Sequence, residues 1–105
     1  MAAAILALAG IGSAASSVEQ GAAATQVVTI QNMQFAPAEL IVKRGSRVVW
    51  INKDLFAHAA TASTKTFDSG NIEVDASWSY VANQPGDYAY LCALHPAMKG
   101  RLIVR

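Results

Sequence analysis

"SWSYVANQPGDYAYLC", residues 77–92, decides the fold. Its first six residues alternate, with Trp78, Tyr80 and Ala82 on one face. Gln84-Pro85-Gly86 breaks the run with turn chemistry, and "DYAYLC" (87–92) resumes it. A period of two in aromatic-rich runs, divided by Pro-Gly, is the signature of short half-buried strands. The same texture extends outward. "QVVTIQ" (26–31), "ELIVK" (39–43), "SRVVWIN" (46–52) and "RLIVR" (101–105) are β-prone runs set off by Pro37, Arg44-Gly45 and Gly100. In 46–52, Val48 and Trp50 face one way and Val49 and Ile51 the other. Both faces are apolar, as in a strand backed by a sheet and covered by loops. Residues 60–76, rich in Ser, Thr, Asp and Gly, read as a strand with long connections. No segment after residue 25 keeps a helical period over ten residues, and there are no repeats. Short strands at this spacing predict an all-β antiparallel sandwich.

Bulk composition narrows the function. The chain has 105 residues, 53% of them hydrophobic and 14% charged, with net charge +1. That suits one domain with one core and excludes a disordered chain. No dense Lys/Arg run offers a phosphate-binding face, so nucleic acid is not an expected partner. The start, "MAAAILALAGIGSAASS", is apolar, with no charge before Glu19. It reads as the core of an export signal whose basic start is missing, with Ser13-Ala14-Ala15 as a small-residue cleavage site. The other reading is an N-terminal arm. The segment 2–11 is too short to cross a bilayer, so no stable membrane insertion is expected. Residues 1–20 are set apart on this basis, and residues 21–105 form the domain.

The chemistry sits just past the deciding stretch. "YLCALHPAMKG" (90–100) holds the only cysteine, Cys92, then His95, then Met98, at three-residue intervals. One cysteine cannot form an internal disulfide. Taken singly, Cys92 is an ordinary core thiol, the histidines are satisfied core or surface groups, and Met98 is gap filler. Together they are a soft donor set. Thioether sulfur suits copper and not Zn²⁺, Mg²⁺ or Ca²⁺. Two His, one Cys and a weakly bound Met make up the donor set of a copper electron-transfer site. The chain has two histidines, and the second, His58, follows the strand that ends at Asn52. On one extended strand, positions 92 and 95 would point apart. A tight loop between strands resolves that, with Pro96 disfavouring helix at His95. A single helical turn also brings 92, 95 and 98 together.

The segment resembles the cupredoxin (type 1 blue copper) family. The spacing C-x2-H-x2-M, as Cys92, His95 and Met98, is similar to the short ligand loop of the amicyanin branch. "FAPAELIVKRGSRVVWIN", "FAH", "FDSG" (67–70), "PGDYAYLC" and "MKGRLIV" extend the resemblance over residues 26–105. It implies a Greek-key β-sandwich of about 7–8 strands. It implies one copper per chain, shuttling between Cu(I) and Cu(II), held by His58, Cys92, His95 and Met98. His58 is then the more buried imidazole, His95 the solvent-facing electron port and Met98 the axial tuner. It also implies a monomeric one-electron carrier in the periplasm, and not an enzyme. By analogy its partners are a dehydrogenase donor and a c-type cytochrome acceptor. The alternative is a periplasmic copper-binding or delivery protein using the same ligands. Four protein ligands leave no vacancy for a substrate, and no Ser-His-Asp set or carboxylate pair suggests hydrolysis.

Two positions depart from the family pattern. Ala59 stands where many members carry Asn or Ser tying the ligand loops, so that tie is expected from Thr61 or Asn71, or is missing. Leu94 stands where amicyanins typically carry Pro, which leaves an amide that could reach Cys92 sulfur. Leu55, Phe56, Leu94, Pro96 and Ala97 are expected to form an apolar docking patch, rimmed by Lys53, Lys99 and Arg101. Trp50, Trp78, Tyr80, Tyr88 and Tyr90 read as core and edge aromatics.

Overall fold

The computed structural model describes residues 23–105. The N-terminal segment read as an export-signal remnant or arm lies outside the described residues. The described chain has eight strands: β1 (Thr25–Gln31), β2 (Gln34–Ala36), β3 (Glu39–Val42), β4 (Ser46–Asn52), β5 (Thr61–Ala62), β6 (Ser77–Ala82), β7 (Gly86–Cys92) and β8 (His95–Val104). They form two four-stranded sheets, ordered β2-β1-β4-β6 and β3-β8-β7-β5. This is the expected all-β sandwich, with one correction. The sheets are mixed, because β1 pairs with β4 and β3 with β8 in parallel. The deciding stretch is also split: β6 lies in one sheet and β7 in the other, so Gln84-Pro85-Gly86 carries the chain between sheets instead of closing a hairpin. Strand periodicity reports which face is buried, not the direction of the neighbour.

Alternation sets the core. In β4, Ser46, Val48, Trp50 and Asn52 are buried while Val49 and Ile51 are half-buried. Facing them across the sandwich are Tyr90 and Cys92 of β7, and Leu102 and Val104 of β8. Trp50 is fully buried and joins the two sheets. It packs 5.5 Å from its cross-strand partner Trp78 and meets Tyr90 edge-on at 5.6 Å. Rings in offset or edge-to-face contact add about 0.5–1.5 kcal/mol each beyond their burial.

Two strands escape a periodicity reading. β2 has three residues and β5 has two, too few to show alternation. A two-residue turn, Asn32-Met33, joins β1 to β2, with both residues left-handed (φ 56° and 59°). β5 pairs with the end of β7, Thr61 opposite Leu91, which brings the loop before it against Cys92. The loop after β5 is pinned by Asp68, whose Oδ1 accepts from Gly70 N (3.0 Å) and Thr61 Oγ1 (3.1 Å).

Gly100 lies opposite Tyr90 in the β7–β8 pairing, and a Cβ there would overlap Tyr90 Cζ and Oη. Gly100→Ala therefore forces this core ring to move and should destabilise the chain by about 1–3 kcal/mol, read by denaturant unfolding. The Gly70 amide, and after it the Thr61 hydroxyl, hold the Asp68 carboxyl below its ordinary value of 3.8. Its stabilising effect is therefore complete above the unfolded value and is lost as pH falls through the lower folded value. Asp68→Asn should lower stability near pH 7 and flatten the acid limb of a stability-against-pH curve near and below pH 4.

Candidate metal centre

The β7–β8 register explains how Cys92, His95 and Met98 converge. Leu91 pairs with Lys99, but the next pair is Cys92 with His95. The chain therefore reverses over Ala93-Leu94, and Pro96, Ala97 and Met98 are left over as a bulge. Directly opposed residues share a face, so Cys92 and His95 point the same way. One step from the Leu91–Lys99 pair, Cys92 and Met98 both turn to the buried face. Cys92 is fully buried and Met98 is 5% exposed. The tight loop holds, and no helical turn is needed.

His58 arrives from the loop after β4, and four contacts fix it. Its backbone exchanges hydrogen bonds with Ile72: His58 N donates to Ile72 O (3.1 Å), and Ile72 N donates to His58 O (2.6 Å). Its ring Nε2 lies 2.9 Å from Asp54 Oδ2. Its Nδ1 lies 3.7 Å from Cys92 Sγ. Asp54 also accepts from Met33 N through Oδ2 and from Leu55 N through Oδ1, both at 2.9 Å. The Met33 amide first, then that of Leu55, and His58 to a lesser degree, hold the Asp54 carboxyl below its ordinary value. An ionised carboxylate only accepts, so Nε2 carries the proton and the Nδ1 lone pair faces Cys92. Asn52, fully buried at the end of β4, donates to Phe56 O (2.8 Å) and Ile72 O (2.9 Å) and accepts from Asp54 N (2.9 Å). It ties the His58 loop to the connection between β5 and β6 that carries Ile72.

His95 is half-buried, with Nδ1 3.8 Å from Cys92 Sγ. The ligand atoms of His58, Cys92 and His95 all lie within 4.8 Å of one another. A metal with bonds of about 2.0 Å to nitrogen and about 2.3 Å to sulfur, at trigonal angles, separates N from S by about 3.7 Å. The donor spacing fits one ion of that size. Met98 supplies a buried thioether on the same turn. With an imidazole pair and a thiolate, this is a candidate type 1 copper site.

Two expectations are corrected. The amide that reaches Cys92 Sγ is that of Ala59 (3.2 Å), not Leu94. Thirty-three positions separate donor from sulfur, so no local spacing could reveal it. Thr61 binds Asp68 and does not link the ligand loops; the Ala59 amide makes that link through backbone alone. Asp54 and Asn52 were not singled out as site residues. A carboxylate four positions before a candidate ligand was the available signal, but in a loop that spacing fixes no geometry.

The exposed surface around His95 is apolar. Leu55 is 82% exposed, Phe56 56% and Leu94 46%, and the Phe56 ring lies 6.5 Å from the His95 ring. Arg101 is paired with Asp87 (2.8 Å), which leaves Lys53 and Lys99, of the three expected rim cations, without an ion pair among the described residues.

The sequence model of the cupredoxin-like domain matches residues 1–104. Amicyanin-alpha of Methylorubrum extorquens is 31% identical over 93 residues, covering 84% of this chain and 78% of its own. Amicyanin of Paracoccus denitrificans is 31% identical over 96 residues, covering 87% of this chain and 71% of its own. A solved structure of an amicyanin variant in its Cu(I) form superposes with a TM-score of 0.72 at 28% identity, covering 77% of this chain and 82% of that one.

The Asp54 contact generates a test. Asp54→Asn keeps the shape but removes the charge behind His58. It should weaken Cu(II) binding on the order of 10–100-fold and raise the reduction potential, since the lost charge favoured the higher oxidation state. Competition titration and voltammetry measure the two effects.

Proposed function

The chain belongs to the cupredoxin-like family, and from that membership we propose that it is a mononuclear type 1 copper protein, a soluble carrier of single electrons between redox partners. The observation that carries the proposal is the mutual approach of His58 Nδ1, Cys92 Sγ and His95 Nδ1 to within 4.8 Å. His58, Cys92, His95 and Met98 would hold the metal. Copper in such a site supplies a one-electron couple between Cu(I) and Cu(II).

The protein's own part is to keep its donors still. A centre that rearranges little between oxidation states exchanges electrons with little reorganisation. His58 is locked by Ile72, Asp54 and the Asn52 network. Cys92 would hold the metal as a thiolate, its proton going to solvent. The Ala59 amide then faces that sulfur, draws charge from it and favours the reduced state. His95 is the half-buried ligand, and its neighbours Leu55, Phe56 and Leu94 form an apolar surface. We take His95 as the port through which the electron passes, and the patch as the docking face. A small apolar contact with two rim cations suits a transient partner that carries some acidic groups. A dehydrogenase donor and a c-type cytochrome acceptor are the partner classes proposed, and the periplasm is the compartment. Among the described residues no helix is long and apolar enough to cross a membrane.

Copper-loaded protein should show an intense visible sulfur-to-Cu(II) band and reversible voltammetry, and Cys92→Ser should lose both. A colourless, readily exchanged copper with no reversible wave would replace the carrier with a copper-delivery protein.

A further inference from the structure

Besides the His95 edge, a second surface feature reaches one of the candidate ligands, Met98. A groove of about 420 Å³ runs between the β1–β2 hairpin and the β8 bulge. Its walls include Met33, Phe35, Ala97, Met98 and Lys99. Met98 is 5% exposed and Met33 38%, so Met98 is the inner of the two and Met33 the one at the mouth. These are the two methionines of the folded domain, and both line this one groove. No carboxylate lines it, so hard dications find no ligand there. Lys99 opposes a doubly charged ion more than a singly charged one. A thioether-lined, carboxylate-free groove selects a soft monovalent ion.

The position of Met33 sharpens the point. It occupies the second place of a two-residue turn at φ 59°. Glycine is the favoured residue there, and any side chain at that φ is strained. The turn is nevertheless held firmly, because Met33 N donates to the same Asp54 Oδ2 that meets His58. The mouth of the groove is thus fixed relative to the buried ligand.

We propose that Met33 is an entry ligand for Cu(I): its thioether captures the ion at the mouth of the groove and hands it to Met98. Loading then runs along the Met98 side in the cuprous state. This rests on the reading that His58, Cys92, His95 and Met98 hold copper. The step is ligand exchange without electron transfer. A bond from Met33 sulfur to Cu(I) forms as a bond to the delivering chelator breaks, and the Cys92 proton goes to solvent when the ion arrives.

Stopped-flow uptake from a coloured Cu(I) chelate by the metal-free full chain, without oxygen, tests it. Met33→Leu keeps volume and removes sulfur, a swap that cores tolerate well. It should slow Cu(I) uptake several-fold, leave Cu(II) uptake unchanged, and give the parent visible spectrum after oxidation. Equal Cu(I) rates in parent and variant overturn the proposal. Equal slowing for both oxidation states also overturns it, since that reports access or folding and not thioether capture. A parent chain that takes up no copper overturns both this proposal and the copper reading, whereas equal rates into a normal blue site overturn this proposal alone.

Discussion

The jump in register at the end of β7, from Leu91–Lys99 directly to Cys92–His95, governs the metal pole. In a regular hairpin each step along one strand matches a step along the other, and side chains alternate without exception. Residues spaced by three would then divide between faces. Excluding Pro96, Ala97 and Met98 from the pairing lets a spacing of three, twice over, produce three side chains on one side. Bulges at strand ends next to sites re-aim side chains in this way. The rest of the sandwich serves to hold that irregularity. Gly100 leaves room for Tyr90 where regular pairing resumes, and Tyr90 packs on Trp50 at the centre of the core.

The second ligand loop is held by hydrogen bonds more than by packing. Asn52, Asp54 and His58 are buried polar groups, and a buried polar group left unpaired loses the hydrogen bonds water would give it. Here each is paired, and the pairs interlock: Asn52 accepts from Asp54 N, and Asp54 meets His58, whose backbone shares Ile72 with the Asn52 side chain. Among the described residues Trp50 Nε1 is the buried side-chain nitrogen or oxygen left without a partner. A satisfied polar network confines its members to one arrangement. That confinement, together with the hydrogen bond from the Ala59 amide to Cys92 sulfur, holds two distant parts of the chain at one point.

Much of this was legible in the sequence, and the illegible parts share a cause. Strands β1, β4, β6 and β7 are each six or seven residues long, enough for alternation to show. The four candidate donors were proposed from residue chemistry, since Cys, His and Met together leave few other metals to choose. What escaped depends on contacts between distant positions. The parallel β1–β4 and β3–β8 pairings, the Ala59 amide on sulfur and the Asp54 clamp on His58 are all set by tertiary placement. The expectation for Leu94 failed for the same reason: proximity in sequence to Cys92 said nothing about which amide the fold would aim at its sulfur. Arg101 was expected on the rim, but its guanidinium pairs with the Asp87 carboxylate on the neighbouring strand.

The central claim is that this chain assembles its donor set without the ion. Crystal structures of the metal-free and copper-loaded protein, solved in the same crystal form, test it most directly. The expected result is that Cys92 Sγ stays within about 0.5 Å of its separations from His58 Nδ1 and His95 Nδ1, 3.7 and 3.8 Å, in both states. An imidazole swung out of reach in the metal-free protein, or a β7–β8 register that changes on loading, would contradict it.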